Sequence, residues 1–222
     1  MVDKFRAVLF DLDGTLIDSA PDFIPAVNQL RQEHHLPPLA SDCIRATVSN
    51  GARALVSLAL NTNESDHGFE AQRLRLLELY RQHLGEHSQL FPGIQILLTQ
   101  LQEKNIPWGI ATNKPEEFTT PLLKRLNITP AAACVICPDH VSERKPHPES
   151  IFLGAKILGC NATEIVYIGD HKRDIDCGNR AGATTIAALY GYIESANKPC
   201  DWRANYNVIS ANEIWPLIES KL

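Results

Sequence analysis

Two aspartates two residues apart, Asp11 and Asp13, close the short apolar run Ala7 to Phe10, and Gly14 and Thr15 follow them. On extended chain, residues i and i+2 share a face, so both carboxylates can enter one pocket. Crowding of like charges there is expected to raise one pKa and keep that group protonated. One acid can then attack an electrophile while the other donates a proton. Asp11, at the strand's end, is the better-fixed nucleophile. Asp13 is the general acid for a leaving alcohol and afterwards the base for water, while Gly14 lets backbone approach a phosphate.

Similar groups follow later apolar runs. Thr112-Asn113-Lys114 follows Trp108 to Ala111, Lys145-Pro146 follows Ala133 to Cys137 after a short loop, and Gly169-Asp170 follows Ile165 to Ile168, with Asp174 four residues on. Four carboxylates repel one another unless a hard cation with oxygen ligands sits among them, which makes Mg2+ the expected ion. Thr112 would donate a hydrogen bond and Lys145 a point charge to phosphoryl oxygens. Taken singly, each has an ordinary reading: Asp-Gly as a turn, Thr112 as a helix cap, Lys145 as a solvated cation. Their joint placement after successive strands is what points to hydrolysis of a small phosphorylated metabolite through a phospho-aspartate on Asp11.

The elements that must position these groups read as an α/β fold. The apolar runs, together with Thr184 to Leu189 and a weaker one at Tyr206 to Ile209, have the length of buried parallel strands. Between them, Ile94 to Lys104, Glu116 to Leu126, Glu149 to Leu158 and Ile175 to Ala181 carry apolar residues at helical spacing, the alternation of a doubly wound, Rossmann-like sheet. Nearly a hundred residues separate the first two of these runs, and Ala20 to Glu86 reads almost wholly as helix. The expected division is therefore a catalytic core of residues 1–18 plus 88–222 and an inserted helical cap of residues 19–87. Pro21, Gly85 and Pro92-Gly93 mark the crossings, which are the candidate hinges.

Composition narrows the partners. The 222 residues are 44% hydrophobic with a net charge of -5, so there is core to bury and no broad basic surface for nucleic acid. No apolar stretch approaches a membrane span, and a cytoplasmic location is expected. The six cysteines read as reduced thiols. Cys134 and Cys137 match C-x-x-C, but on a strand they point to opposite faces and cannot chelate one ion. His83-Leu84-Gly85-Glu86-His87 matches an inverted zinc-protease motif, yet it carries a helix-weakening glycine and lacks a third ligand.

In order, Asp11-Leu12-Asp13-Gly14-Thr15-Leu16, Thr112-Asn113, Lys145-Pro146 and Gly169-Asp170 with Asp174 resemble the four motifs of the haloacid dehalogenase superfamily, over essentially the whole chain. The resemblance implies a Rossmann-like core with a helical cap, metal ligation by Asp11, the Asp13 backbone carbonyl and Asp170, and support from Asp174. It also implies that Thr15 and Asn113 belong to the substrate site, and an acid at Asp13 speaks against dehalogenase chemistry. Within the superfamily, Asp18-Ser19-Ala20-Pro21-Asp22, Phe91-Pro92-Gly93 and Ser49-Asn50-Gly51-Ala52-Arg53 resemble phosphoglycolate phosphatases. Thr112-Asn113-Lys114-Pro115, Cys137-Pro138-Asp139-His140-Val141 and Tyr190-Gly191-Tyr192-Ile193 are similar to N-acetylmuramic acid 6-phosphate phosphatases. Both substrates carry a carboxylate away from the phosphate, so Arg53, expected at the turn into a cap helix Ala52 to Leu60, is the candidate to grip it. His171-Lys172-Arg173, between the motif-four acids, departs from the small residue often found there and leaves the role of His171 open.

Two other classes use similar parts. A signalling receiver also holds a phospho-aspartate with acids, Mg2+, Thr and Lys, but lacks a helical insert and ends phosphorylated instead of turning over. A sugar-phosphate mutase on the same core would return an isomer and no free phosphate. Substrate identity and oligomeric state depend on cap shape and surface and are not set by these motifs.

Overall fold

The computed structural model describes residues 4–193 and 198–221; Met1-Val2-Asp3 and the ends of the expected core, residues 1 and 222, lie outside them. Its main sheet has six strands, β1 (Ala7–Phe10), β4 (Trp108–Ala111), β5 (Cys134–Ile136), β6 (Ile165–Gly169), β7 (Thr184–Ala188) and β8 (Tyr206–Val208). All neighbours pair in parallel, in the order β5-β4-β1-β6-β7-β8. The chain fills one side from β1 to β5, then returns past β1 to build the other. The switch point therefore falls between β1 and β6, whose carboxyl ends carry Asp11 and Asp170, and the crevice there is where such sheets bind ligands.

The sheet is buried on both faces because β1 alternates between two cores. Val8 and Phe10 pack with α5 (Ile94–Glu103) and α6 (Glu116–Leu126), and the same cluster takes in Ile214 and Ile218 of α9 (Ile214–Glu219). Ala7 and Leu9 pack with α7 (Glu149–Leu158) and α8 (Lys172–Ala181). Between the first strand and α5 stand four further helices, α1 (Ala20–Glu33), α2 (Ser41–Thr47), α3 (Gly51–Leu60) and α4 (Phe69–His83). They share the first cluster through Phe23, Leu30, Leu55, Leu76 and Tyr80. The doubly wound α/β expectation is met.

Three local differences from the sequence expectation have physical causes. The chain enters and leaves the four helices through an antiparallel ribbon, β2 (Ile17–Asp18) against β3 (Gln89–Leu90), two residues each and so without a periodic signal. Helix α8 starts at Lys172, ahead of the first apolar residue Ile175, because His171 caps it: its Nδ1 accepts the Arg173 N–H at 3.1 Å. Gly51 belongs to α3, one residue before the expected start. The His83/His87 motif falls apart, with His83 ending α4 and pairing with Glu86 at 3.0 Å while the His87 N–H donates to Asp22 at 2.7 Å. All six cysteines are free thiols; Cys137 caps a short 3-10 turn and Cys134 packs against Gly109.

Candidate active site

The crevice opens into a cavity of about 560 Å³ walled by both the strand ends and the helices, with Asp11, Asp13, Thr112, Lys145 and Asp174 on the core side. Lys145 lies in its wall. Its side chain is almost fully enclosed, and Nζ stands 2.8 Å from Asp11 Oδ1 and 2.6 Å from Asp174 Oδ1 while donating to the Ala111 carbonyl at 3.0 Å and the Tyr167 hydroxyl at 2.9 Å. Burial alone would lower its pKa, but Asp11 and Asp174 outweigh that and hold the ammonium charged. The loop carrying it is fixed by Asn113, whose amide donates to the Lys145 carbonyl and accepts the Lys145 N–H, both at 3.1 Å. Asn113 itself lines the cavity.

Asp170 is held from three sides. It accepts from Thr15 Oγ1 at 3.1 Å, from the Tyr192 N–H at 2.9 Å and from Ser49 Oγ, in the short turn between α2 and α3, at 2.9 Å. Thr15 is thus buried behind Asp170, and Gly14 leaves the space that this carboxylate fills: a Cβ there would lie 2.1 Å from Asp170 Oδ2, on a backbone with φ of +86°. In this geometry both serve to seat Asp170. Burial, then the charges of Asp11 and Asp174, push the Asp170 carboxyl up to about 7. Asp11 is raised by burial and by Asp174, against the pull of Lys145. The crowding expected between Asp11 and Asp13 is not its source.

Asp13 instead faces a cation. Lys114 Nζ lies 3.1 and 3.2 Å from its two oxygens, and Ser19 Oγ donates to it at 2.5 Å. Ser19 precedes α1 but its side chain caps nothing; Asp13 has taken it. Lys114 also donates to Tyr80 of α4 at 2.7 Å and lies over the Phe23 and Tyr80 rings. Thr112 accepts the Lys114 N–H at 3.1 Å, which leaves its hydroxyl proton for a ligand. The ordinary reading of Thr112 as a helix cap is excluded, since α6 begins at Glu116 after Pro115.

Sequence reasoning gave no role to Lys114, Ser49 or Tyr192. A lysine among strand-end polar residues was the available signal for Lys114; Ser49 and Tyr192 reach the site only through long-range packing. Arg53 does line the cavity, but it is half exposed and its guanidinium is paired with Glu64 at 3.2 Å and Glu70 at 3.3 Å. His171 is a structural joint: burial and the neighbouring Arg173 push its pKa down to about 4, so it is neutral. With Nδ1 accepting from Arg173, its Nε2–H donates to Asn50 Oδ1 at 3.1 Å.

The donor set fits a hard divalent cation. Asp11, Asp170 and Asp174 offer oxygens that all lie within 4.8 Å of one another, and no other such cluster occurs among the described residues. Asp11 Oδ1 is buried without a well-aligned hydrogen bond, so it is available as a ligand.

The haloacid dehalogenase-like hydrolase family model matches residues 8–188, and the chain belongs to that family. It is 41% identical to an N-acetylmuramic acid 6-phosphate phosphatase of Pseudomonas putida, over 99% of this chain and 98% of that one. It is 39% identical to a phosphoglycolate phosphatase of Xanthomonas campestris pv. campestris, over 95% of each. A crystal structure of a predicted phosphoglycolate phosphatase from Haemophilus somnus shares the fold, with a TM-score of 0.84 at 23% identity over 96% of this chain and 97% of that one. No helix among the described residues is long and apolar enough to cross a membrane.

Proposed function

We propose that this HAD-type phosphatase hydrolyses a small carboxylate-bearing phosphomonoester, with N-acetylmuramic acid 6-phosphate ahead of 2-phosphoglycolate, through a phospho-aspartate on Asp11. The observation that carries the mechanism is Lys145 locked between Asp11 and Asp174 at the sheet's switch point. Asp11, the backbone carbonyl of Asp13 and Asp170 would hold Mg2+, with Asp174 orienting Lys145. The ion would neutralise the repulsion between an anionic nucleophile and a phosphate.

In the first step an Asp11 oxygen bonds to phosphorus as the ester oxygen leaves with a proton from Asp13. In the second, water gives its proton to Asp13 and its oxygen to phosphorus, and Asp11 leaves as a free carboxylate with inorganic phosphate. The Lys145 ammonium, by its charge, and the Thr112 hydroxyl, by donating, stabilise the phosphoryl oxygens throughout, where charge builds in the transition state. Helices α1 to α4 act as the cap over residues 19–87, and closure brings Ser49 and Tyr80 against the core, excluding water.

The substrate order rests on likeness: two N-acetylmuramic acid 6-phosphate phosphatases, at 41% and 37% identity, match over 99% of this chain. A phosphate-release assay across metabolite phosphates with Mg2+ tests the reading. Many equivalents of phosphate per chain are expected, with the highest kcat/KM on N-acetylmuramic acid 6-phosphate; a returned isomer without free phosphate would overturn it.

A further inference from the structure

Resting on that reading of the substrate as carboxylate-bearing, we propose that Arg173, held in place by Asn50, is the subsite that receives the substrate's carboxylate. Four arginines line the cavity: Arg53, Arg73, Arg144 and Arg173. Their surroundings differ. Arg53 is paired with Glu64 and Glu70, and Arg73 with Glu70 at 2.5 Å, so a substrate carboxylate would have to displace an acid already in place. Arg173 has no carboxylate partner among the described residues. Its guanidinium is partly buried, its Nε donates to His171 Nδ1 and its NH2 to Asn50 Oδ1, both at 3.1 Å, and neither partner is an acid that would balance its charge.

The placement opposes local electrostatics. Arg173 lies in the first turn of α8, where the helix dipole disfavours a cation. Its neighbour Lys172 is offset by Asp176 at 2.6 Å; Arg173 has no such relief. A local rule broken without compensation inside a cavity marks a group awaiting a ligand. Arg144 is also without an acid among the described residues, but it is exposed and no side chain orients it, so ordering it would cost rotamer freedom that Arg173 has already lost.

Asn50 explains the orientation. Its Oδ1 accepts from both His171 Nε2 and Arg173 NH2, so a residue just before α3 joins the two core residues that follow Asp170. The fork left over can take a carboxylate bidentately. The carboxylate would thereby be read where helices and core meet.

The test compares N-acetylmuramic acid 6-phosphate with N-acetylglucosamine 6-phosphate, which lacks the 3-O-lactyl group that bears the carboxylate. Arg173→Gln should lower the ratio of their kcat/KM values tenfold to a hundredfold, and Asn50→Asp, which sets an acid against the guanidinium, should lower it too. In an Asp11→Asn background, calorimetry should show the same selective loss in binding. An unchanged ratio overturns the inference, as does a ratio that falls in Arg53→Gln but not in Arg173→Gln. If Arg173→Gln does not fold, Asn50→Asp decides by the same criterion. A wild-type enzyme that releases phosphate from both sugars equally refutes the subsite while leaving the phosphatase reading intact; one that releases none from any ester refutes the proposed function itself.

Discussion

Lys145 Nζ stands 2.6 Å from Asp174 Oδ1, both side chains being enclosed. A buried ion pair adds little net stability, but removing one partner strands the other charge. Lys145→Met would leave Asp11, Asp170 and Asp174 facing one another with no cation. The metal-free variant should lose ~3–5 kcal/mol in urea unfolding, and phosphate release should fall by about two to three orders of magnitude, as when a preorganised charge is removed. Wild-type stability in the metal-free variant would show that the pair does not hold the acids together.

Asp11→Asn should separate chemistry from fold. The covalent route disappears, so turnover should drop by roughly three or more orders of magnitude. Stability should hold, because the amide removes a carboxylate that burial and Asp174 already disfavour. Phosphate-release kinetics and a melting curve on one preparation check both.

Asp13→Asn should behave differently, since its task is to protonate the leaving group. The rate deficit should be large for alkyl phosphates and smaller for nitrophenyl phosphate, whose leaving group needs less help. Equal deficits on both substrates would remove Asp13 from that role.

How far the sequence could be read depends on what each residue's place depends on. Strand β1 was legible because four consecutive apolar residues buried on both faces leave little choice, and Asp11 and Asp170 were legible because backbone order alone puts strand-end residues at the crevice. Thr15 and Gly14 lie next to Asp11 in sequence, yet they meet Asp170, more than 150 residues away, and no local pattern reports that. The Asp13–Lys114 pair spans 101 residues in the same way. For Arg53, the expectation that it grips a substrate carboxylate did not foresee Glu64 and Glu70, which come from the α3–α4 connection and from α4.

The raised carboxyls give the metal-free protein a pH dependence of definite sign. Asp170 binds its proton more tightly when folded, with a pKa of about 7 against the ordinary 3.8, and Asp11 is displaced in the same direction. The stability this confers is complete below about pH 4 and is lost as pH rises through about 7. Mg2+ favours the ionised forms and should reverse the loss. The melting temperature without metal should fall between pH 5 and 8, and the increment produced by Mg2+ should grow over the same range. An increment that shrinks with pH would count against carboxylate ligation.

The crossing between helices and sheet offers a last test, at a buried acid that takes no part in the chemistry. Asp22, in the first turn of α1, is wholly enclosed and accepts from the Gly85 N–H at 2.6 Å, the His87 N–H at 2.7 Å and the Ser88 hydroxyl. It thus ties the start of the helical segment to its return, beside the β2–β3 ribbon. Gly85 sits there at φ of +73°, so its N–H direction is set by a turn that few other residues would adopt. Asp22→Ala leaves those donors facing a cavity, and each unsatisfied buried group costs about 1–3 kcal/mol, so a total loss of ~2–4 kcal/mol is expected after partial rehydration. Asp22→Asn keeps the shape and the acceptor oxygen but adds two donors, and should recover part of it. Urea unfolding of the two variants measures the order; a loss in Asp22→Ala below about 0.5 kcal/mol, the range of ordinary surface substitutions, would mean that the ribbon alone holds the crossing.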